Sequence, residues 1–121
     1  MKNCVVFITA PDAKTGEKLS LGLVRQKWAA CVNRVPTVHS RYWWKGKVET
    51  AREEWLIVKT RGEKLGRLVD WVRRNHPYSV CEVIALPILG GNRDYLRWMD
   101  DSLGGRRPKR KPRTPGRKKR N

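Results

Sequence analysis

The residues best suited to chemistry stand together just after a helical run: His76, then Cys81 and Glu82. An imidazole, a soft thiol and a hard carboxylate would suit copper, zinc or nickel. His76 follows Asn75 and precedes Pro77, so it belongs to a loop rather than to an apolar helix face. The spacing is not diagnostic of one metal geometry. Taken alone, His76 therefore reads first as a structural histidine at a helix C-terminus, where the helix dipole favours partial positive charge. His39 reads as a surface or interface residue with a weaker claim to metal contact, and Cys31 as core.

A second group could line a ligand cleft. Tyr42, Trp44, Tyr78, Tyr95 and Trp98 offer flat apolar surface for stacking a planar ligand, and Lys47 or Lys59 could meet an anionic group. Six Trp in so short a chain serve equally as core and interface filling, which is the preferred reading for most of them. The adjacent acids Glu53-Glu54 and Asp100-Asp101 point in different directions on a strand or helix, so neither pair can act as a dyad, and both read as solvated. No Ser-His-Asp order, GxxxxGK[ST] or GxGxxG occurs, and nothing argues for an enzyme.

The charge of the 121-residue chain is +17, and it is concentrated at one end. Residues 104–121 hold ten bases (Arg106, Arg107, Lys109, Arg110, Lys111, Arg113, Arg117, Lys118, Lys119 and Arg120) and no acid. With Pro and Gly interspersed and no large apolar residue, this stretch is expected to be a disordered basic tail. It could bind nucleic acid without sequence preference through phosphate counterion release, or serve only as a solubilising extension. Residues 1–103 are expected to form a single domain, and 39% apolar residues suffice for its core.

That domain must position the candidate residues, and its elements follow from apolar periodicity. Cys4–Ala10 is a β-branched central strand; it runs straight into Pro11-Asp12, which argues against a signal peptide. Asp12 caps a helix with Leu19 and Leu23 on one stripe, small Gly16 and Ser20 beside it, and Trp28-Ala29-Ala30 closing it. Cys31–Val38 is extended, with Pro36 at a bulge or edge. Ser40–Lys59 is a hairpin with its tip at Lys45-Gly46-Lys47. Thr60 and Glu63 are spaced as a capping box for a helix bearing Leu65, Leu68, Val69 and Val72. Glu82–Ile88 is a strand, and Asn92 caps a last short helix.

The order βαββαβ puts both long helices on one face of a four-stranded antiparallel or mixed sheet. Its strands are apolar on both faces, so the open face calls for oligomerisation. Three cysteines without CxxC spacing point to reduced thiols and a cytoplasmic location, and no stretch is long and apolar enough for a membrane span.

The pieces Thr9-Ala10-Pro11-Asp12, Ala29-Ala30-Cys31-Val32-Asn33, Tyr42 with Trp44, Gly46, Lys47 and Glu49, Leu56–Thr60, His76-Pro77-Tyr78, Glu82 with Ala85-Leu86-Pro87, and Gly91-Asn92 with Tyr95, Leu96 and Trp98 resemble, in order, the CutA family of divalent-cation-tolerance proteins. The likeness covers Val5 to Leu103. It implies an α+β, ferredoxin-like fold with a long hairpin and a short C-terminal helix, a homotrimer with lateral clefts like those of PII signalling proteins, and no established reaction. It also implies a role in the response to divalent metal ions, copper first, to which the residue types of His76, Cys81 and Glu82 add three candidate ligands. Two positions depart from the pattern: Ile8 stands where some members have a copper-ligating Cys, and Cys81 stands where Pro is usual. The alternatives are a nucleic-acid-associated protein acting through its tail and a PII-like trimer that binds a small ligand.

Overall fold

Asn3–Ala10 (β1) lies inside the sheet and organises it. In the computed structural model, which describes residues 2–104, β1 pairs antiparallel on one side with Lys47–Arg61 (β3) and on the other with Val83–Pro87 (β4). Cys31–Trp44 (β2) pairs antiparallel with β3, giving the order β2-β3-β1-β4. Helices Ala13–Arg25 (α1), Leu65–Asn75 (α2) and Arg93–Ser102 (α3) complete the βαββαβ order with its closing helix. The basic residues from Arg106 to Arg120, and with them the nucleic-acid expectation, lie outside the described residues.

Alternation along β1 sets the two faces. Cys4, Val6, Ile8 and Ala10 are fully buried and meet Leu56 and Val58 of β3, Leu19 and Leu23 of α1, and Leu68 and Val72 of α2. Fully burying a Val, Leu or Ile side chain is worth roughly 1.5–3 kcal/mol, so this single layer supplies most of the chain's cohesion. On the opposite face Val5, Phe7, Trp55 and Ile57 are only half-buried. Ile84 and Leu86, their neighbours on β4, remain 55% and 51% exposed. α3 reaches only one end of that face, where Asp100 meets Arg61.

The hairpin is longer than the sheet that carries it. β2 and β3 stay paired to Trp44↔Lys47, and the register slips between Val35 and Val38, around Pro36, which has no N–H to give to a ladder. At the tip Lys45 and Gly46 have φ of 50° and 78°. Two successive positive values are the mirror-image turn whose twist matches paired strands, and Gly46 adopts its share without steric cost.

Three local expectations are overturned. The Thr60–Glu63 capping box does not form: Thr60 continues β3 opposite Cys4, fully buried, and its Oγ1 donates to Trp28 O at 2.7 Å. Strand pairing carries on to Arg61↔Asn3, and a 3-10 turn at Gly62–Lys64 intervenes before α2. Ladder hydrogen bonds and burial outweigh a solvent-exposed cap. α1 ends at Arg25 rather than running to Ala30, because Lys27 turns left-handed with φ of 63° and the amides of Trp28 and Ala29 fold back onto Leu23 O. Cys31 is half-buried on the helix-free face opposite Lys59, not in the core; the fully buried thiol is Cys4, whose pKa burial pushes up.

The acids read as solvated are the clearest correction, since Glu53, Glu54 and Asp100 are 7%, 4% and 7% exposed. Glu54 is held by Arg34, whose Nε and Nη2 donate to its two oxygens at 2.8 and 2.9 Å. The same guanidinium reaches Glu17 Oε1 at 2.7 Å and Ala13 O at 3.1 Å, tying the start of α1 to the sheet. Gly16 makes room for this clamp: a Cβ there would lie 2.0 Å from Glu54 Oε1.

Candidate functional site

The end of α2 sets the position of His76. Asn75 Nδ2 donates to Trp71 O at 2.8 Å, and His76 leaves the helix with extended backbone (φ −101°, ψ 139°), as a residue before proline prefers. Its ring turns back onto β1 and is 8% exposed. Nδ1 accepts from Tyr78 N–H at 3.1 Å and Nε2 lies 2.7 Å from Thr9 O, so the proton sits on Nε2 and is donated to that carbonyl. The β1–β4 ladder stops at Ile8↔Val83, and His76 satisfies the next carbonyl beyond it. The ring also packs on Tyr78, with centroids 4.9 Å apart.

Tyr78 links this joint to the base of the hairpin. Its hydroxyl donates to Glu53 Oε2 at 2.9 Å. Burial, then that hydrogen bond and the negative charge of Glu53, push the phenol up to about 12, and Tyr42 and Asp12 act in the same direction. Glu82, though exposed, is raised above its ordinary value by partial desolvation and by the charge of Glu53. Tyr42, Tyr78, Glu53 and Glu82 thus form one electrostatically coupled group. Glu53 is the member that sequence reasoning missed. Its signal was the alternation that puts it on one face with Trp55 and Ile57.

The expected metal set does not come together within one chain. Among the described residues no group of three or more His, Cys, Asp or Glu is placed to hold a metal ion. Of its members, both His76 nitrogens are hydrogen-bonded, Cys81 packs half-buried against the hydrophobic core, and Glu82 is exposed, within the influence of the charge of Glu53. A nitrogen that already donates its proton or accepts one has no lone pair for a metal. His39 stands exposed on the hairpin opposite Arg52.

Within one chain the seven cleft candidates lie in separate places. Tyr42 joins Tyr78 near Glu53. Trp44 and Lys47 pair at the hairpin tip, where Lys45 Nζ lies 5.9 Å from the Trp44 ring. Lys59 lies mid-sheet and its Nζ bonds Asn33 Oδ1. Tyr95 and Trp98 stack on α3 with centroids 5.3 Å apart. Among the described residues no helix is long and apolar enough to cross a membrane.

Comparison with known proteins fits this architecture. Residues 4–102 match the family described as "CutA1 divalent ion tolerance protein". The chain is 51% identical over 98 residues to the rice protein named "Protein CutA 1, chloroplastic", a match covering 81% of this chain and 55% of that relative, so it spans about half the relative's length. It is 42% identical over 100 residues to the "Divalent-cation tolerance protein CutA" of Thermus thermophilus, covering 83% of this chain and 97% of that protein. The solved structure of CutA1 from Oryza sativa superposes with a TM-score of 0.83 at 47% identity, over 89% of this chain and 97% of that one. With the hairpin, the His76 joint and the sheet order all in place, the chain belongs to the CutA1 divalent ion tolerance family.

Proposed function

We propose that this protein works as a homotrimer in the tolerance of divalent metal ions, in the cytoplasm and without catalysing a reaction. The observation that carries the assembly is the helix-free sheet face, where Val5, Phe7, Trp55 and Ile57 are half-buried while Ile84 and Leu86 stand half out of water. An apolar face of this extent is covered in stable proteins, and a second and third copy supply the matching surface. The overhanging hairpin, with Trp43 74% exposed, gives each copy an arm to lay across its neighbour.

The His76 geometry speaks against a copper centre built inside one chain from His76, Cys81 and Glu82. A divalent ion at Glu82 offsets the charge that desolvation and Glu53 disfavour there, and this carboxylate pair is the one to test. Copper is the first ion to test there.

Light scattering on the purified protein should return close to three times the chain mass of 14.1 kDa. A paired Ile84→Glu and Leu86→Glu variant should lower the mass to that of one chain. A soluble parent monomer would overturn the assembly. Copper titration should show affinity reduced about tenfold, or 1.4 kcal/mol, by Glu82→Gln in folded trimer. Unchanged affinity would remove the carboxylate pair.

A further inference from the structure

The outer side of the helix layer, turned away from the sheet, is as regularly patterned as its inner side. In α1 the buried line is Gly16, Leu19 and Leu23. Opposite it, Lys14, Lys18, Leu21 and Arg25 follow one another at spacings of four, three and four, which sets them in one exposed stripe. α2 repeats the arrangement with Lys64 at its N-cap, Arg67, Trp71 and Arg74, at spacings of three, four and three. Each stripe is thus three cations around one apolar side chain. Gly22 lets the helices meet closely: a Cβ there would lie 2.4 Å from the Trp71 ring, so Trp71 lies across the helix contact.

Among the described residues no carboxylate is paired with any of these six cations. The ion pairs run through Arg34 and Arg61 instead. Lys64 Nζ rests 5.7 Å from the Trp28 ring, a contact that leaves its charge in place. Of the acids on the same layer, Glu17 is held by Arg34, Glu63 by Arg61, and Asp12 accepts from Thr15 N–H as the cap of α1; Asp70 is exposed on α2. The face is therefore cationic, and within it Leu21 and Val24 stand 47% and 42% exposed.

That combination selects the partner. A nucleic-acid duplex is read by a helix or ribbon that enters a groove, and its phosphates make no use of Leu21 and Val24. Two helices side by side on a sheet, their axes about 8–10 Å apart, present a broad face instead. An anionic bilayer matches both features, with charged headgroups for the cations and an acyl boundary for short apolar side chains. We propose that the outer face of α1 and α2 docks on a membrane surface rich in anionic phospholipid, the six cations on headgroups and Leu21 and Val24 at the acyl boundary. The helices cover the side of the sheet opposite to Val5, Phe7, Trp55 and Ile57, so this face stays open in the assembly. The inference goes beyond the divalent-ion reading and rests on no residue used there.

The test is flotation of the full-length protein with vesicles of phosphatidylcholine mixed with phosphatidylserine, and with vesicles of phosphatidylcholine alone. The protein should float with the mixed vesicles and not with the neutral ones, and added salt should weaken the binding. Because residues 104–121 carry ten further bases, the face is separated from them by substitutions that leave that stretch intact. The combined Arg25→Gln, Arg67→Gln and Arg74→Gln variant, with all three positions exposed, should keep the parent's melting curve and lose at least about tenfold in vesicle affinity. The paired Leu21→Ser and Val24→Ser variant, checked for folding in the same way, should lose vesicle affinity as well. Absence of any preference for the anionic vesicles would overturn the proposal. So would an affinity unmoved by the three arginine changes, which would locate binding on the basic residues after Gly104. Vesicle binding indifferent to Leu21 and Val24, together with binding of a duplex DNA that the arginine variant loses, would overturn it in favour of a nucleic-acid surface.

Discussion

Replacing His76 with Ala separates a structural joint from a metal ligand. The substitution leaves Thr9 O without its donor at 2.7 Å and Tyr78 N–H without its acceptor at 3.1 Å, at a site where the ring is 8% exposed. Each stranded backbone group costs about 1–3 kcal/mol, so the pair costs at least about 2 kcal/mol. The lost ring contact with Tyr78 adds about 1 kcal/mol. For a domain of about 100 residues the resulting loss of about 3 kcal/mol lowers the melting temperature by roughly 10 °C or more. The assay is thermal unfolding of parent and variant at one protein concentration, each with and without excess chelator. A structural His76 gives the same gap in both conditions. A gap below about 1 kcal/mol, or one that closes because the chelator destabilises only the parent, would refute the hydrogen-bond argument and restore His76 as a ligand.

Gly16→Ala puts a methyl group 2.0 Å from Glu54 Oε1 and should cost about 1–3 kcal/mol by prising apart the Arg34–Glu54 clamp, read from chemical denaturation. Thr60→Val should cost about 1 kcal/mol by removing the bond to Trp28 O, whereas Glu63→Ala should be nearly neutral in the same measurement; equal losses would mean that the capping box forms after all. Glu82 is held above its ordinary value of 4.5 by burial and by Glu53, so folding favours its neutral form. The stability this contributes is present below that value and is lost as pH rises through the raised one. Glu82→Gln should therefore raise the melting temperature near neutral pH and make little difference below about pH 4, and an equal gain at both would show that charge is not the cause.

Much of the fold could be read from local pattern. The β-branched runs of β1 and β3, the helical stripe of Leu65, Leu68 and Val72, and the Asp12 and Asn92 caps are decided by neighbours within a few residues. Pro36 marked the register slip because a missing N–H has the same consequence in any ladder. What could not be read depended on distant partners. Glu54 is buried because Arg34, twenty residues earlier, brings a guanidinium to it, and Glu53 because Tyr78, twenty-five residues later, brings a hydroxyl. Neither partner is implied by two adjacent acids. The capping box failed for a related reason, since its spacing was correct but Thr60 was claimed by a strand whose pairing with Cys4 depends on β1.

The candidate metal site shows the same limit in its sharpest form. Residue type told correctly that His76 had chemistry to offer, because an imidazole presents one donor and one acceptor at fixed directions. It could not tell who would use them. The deciding fact is that Thr9, sixty-seven residues earlier, has its carbonyl just past the point where β4 ends. A ring turned inward there closes the edge of the ladder, orders the chain into Tyr78, and through Tyr78 holds Glu53 at the base of the hairpin. The motif His76-Pro77-Tyr78 is thus explained as a mechanical joint between α2, β1 and the base of the hairpin.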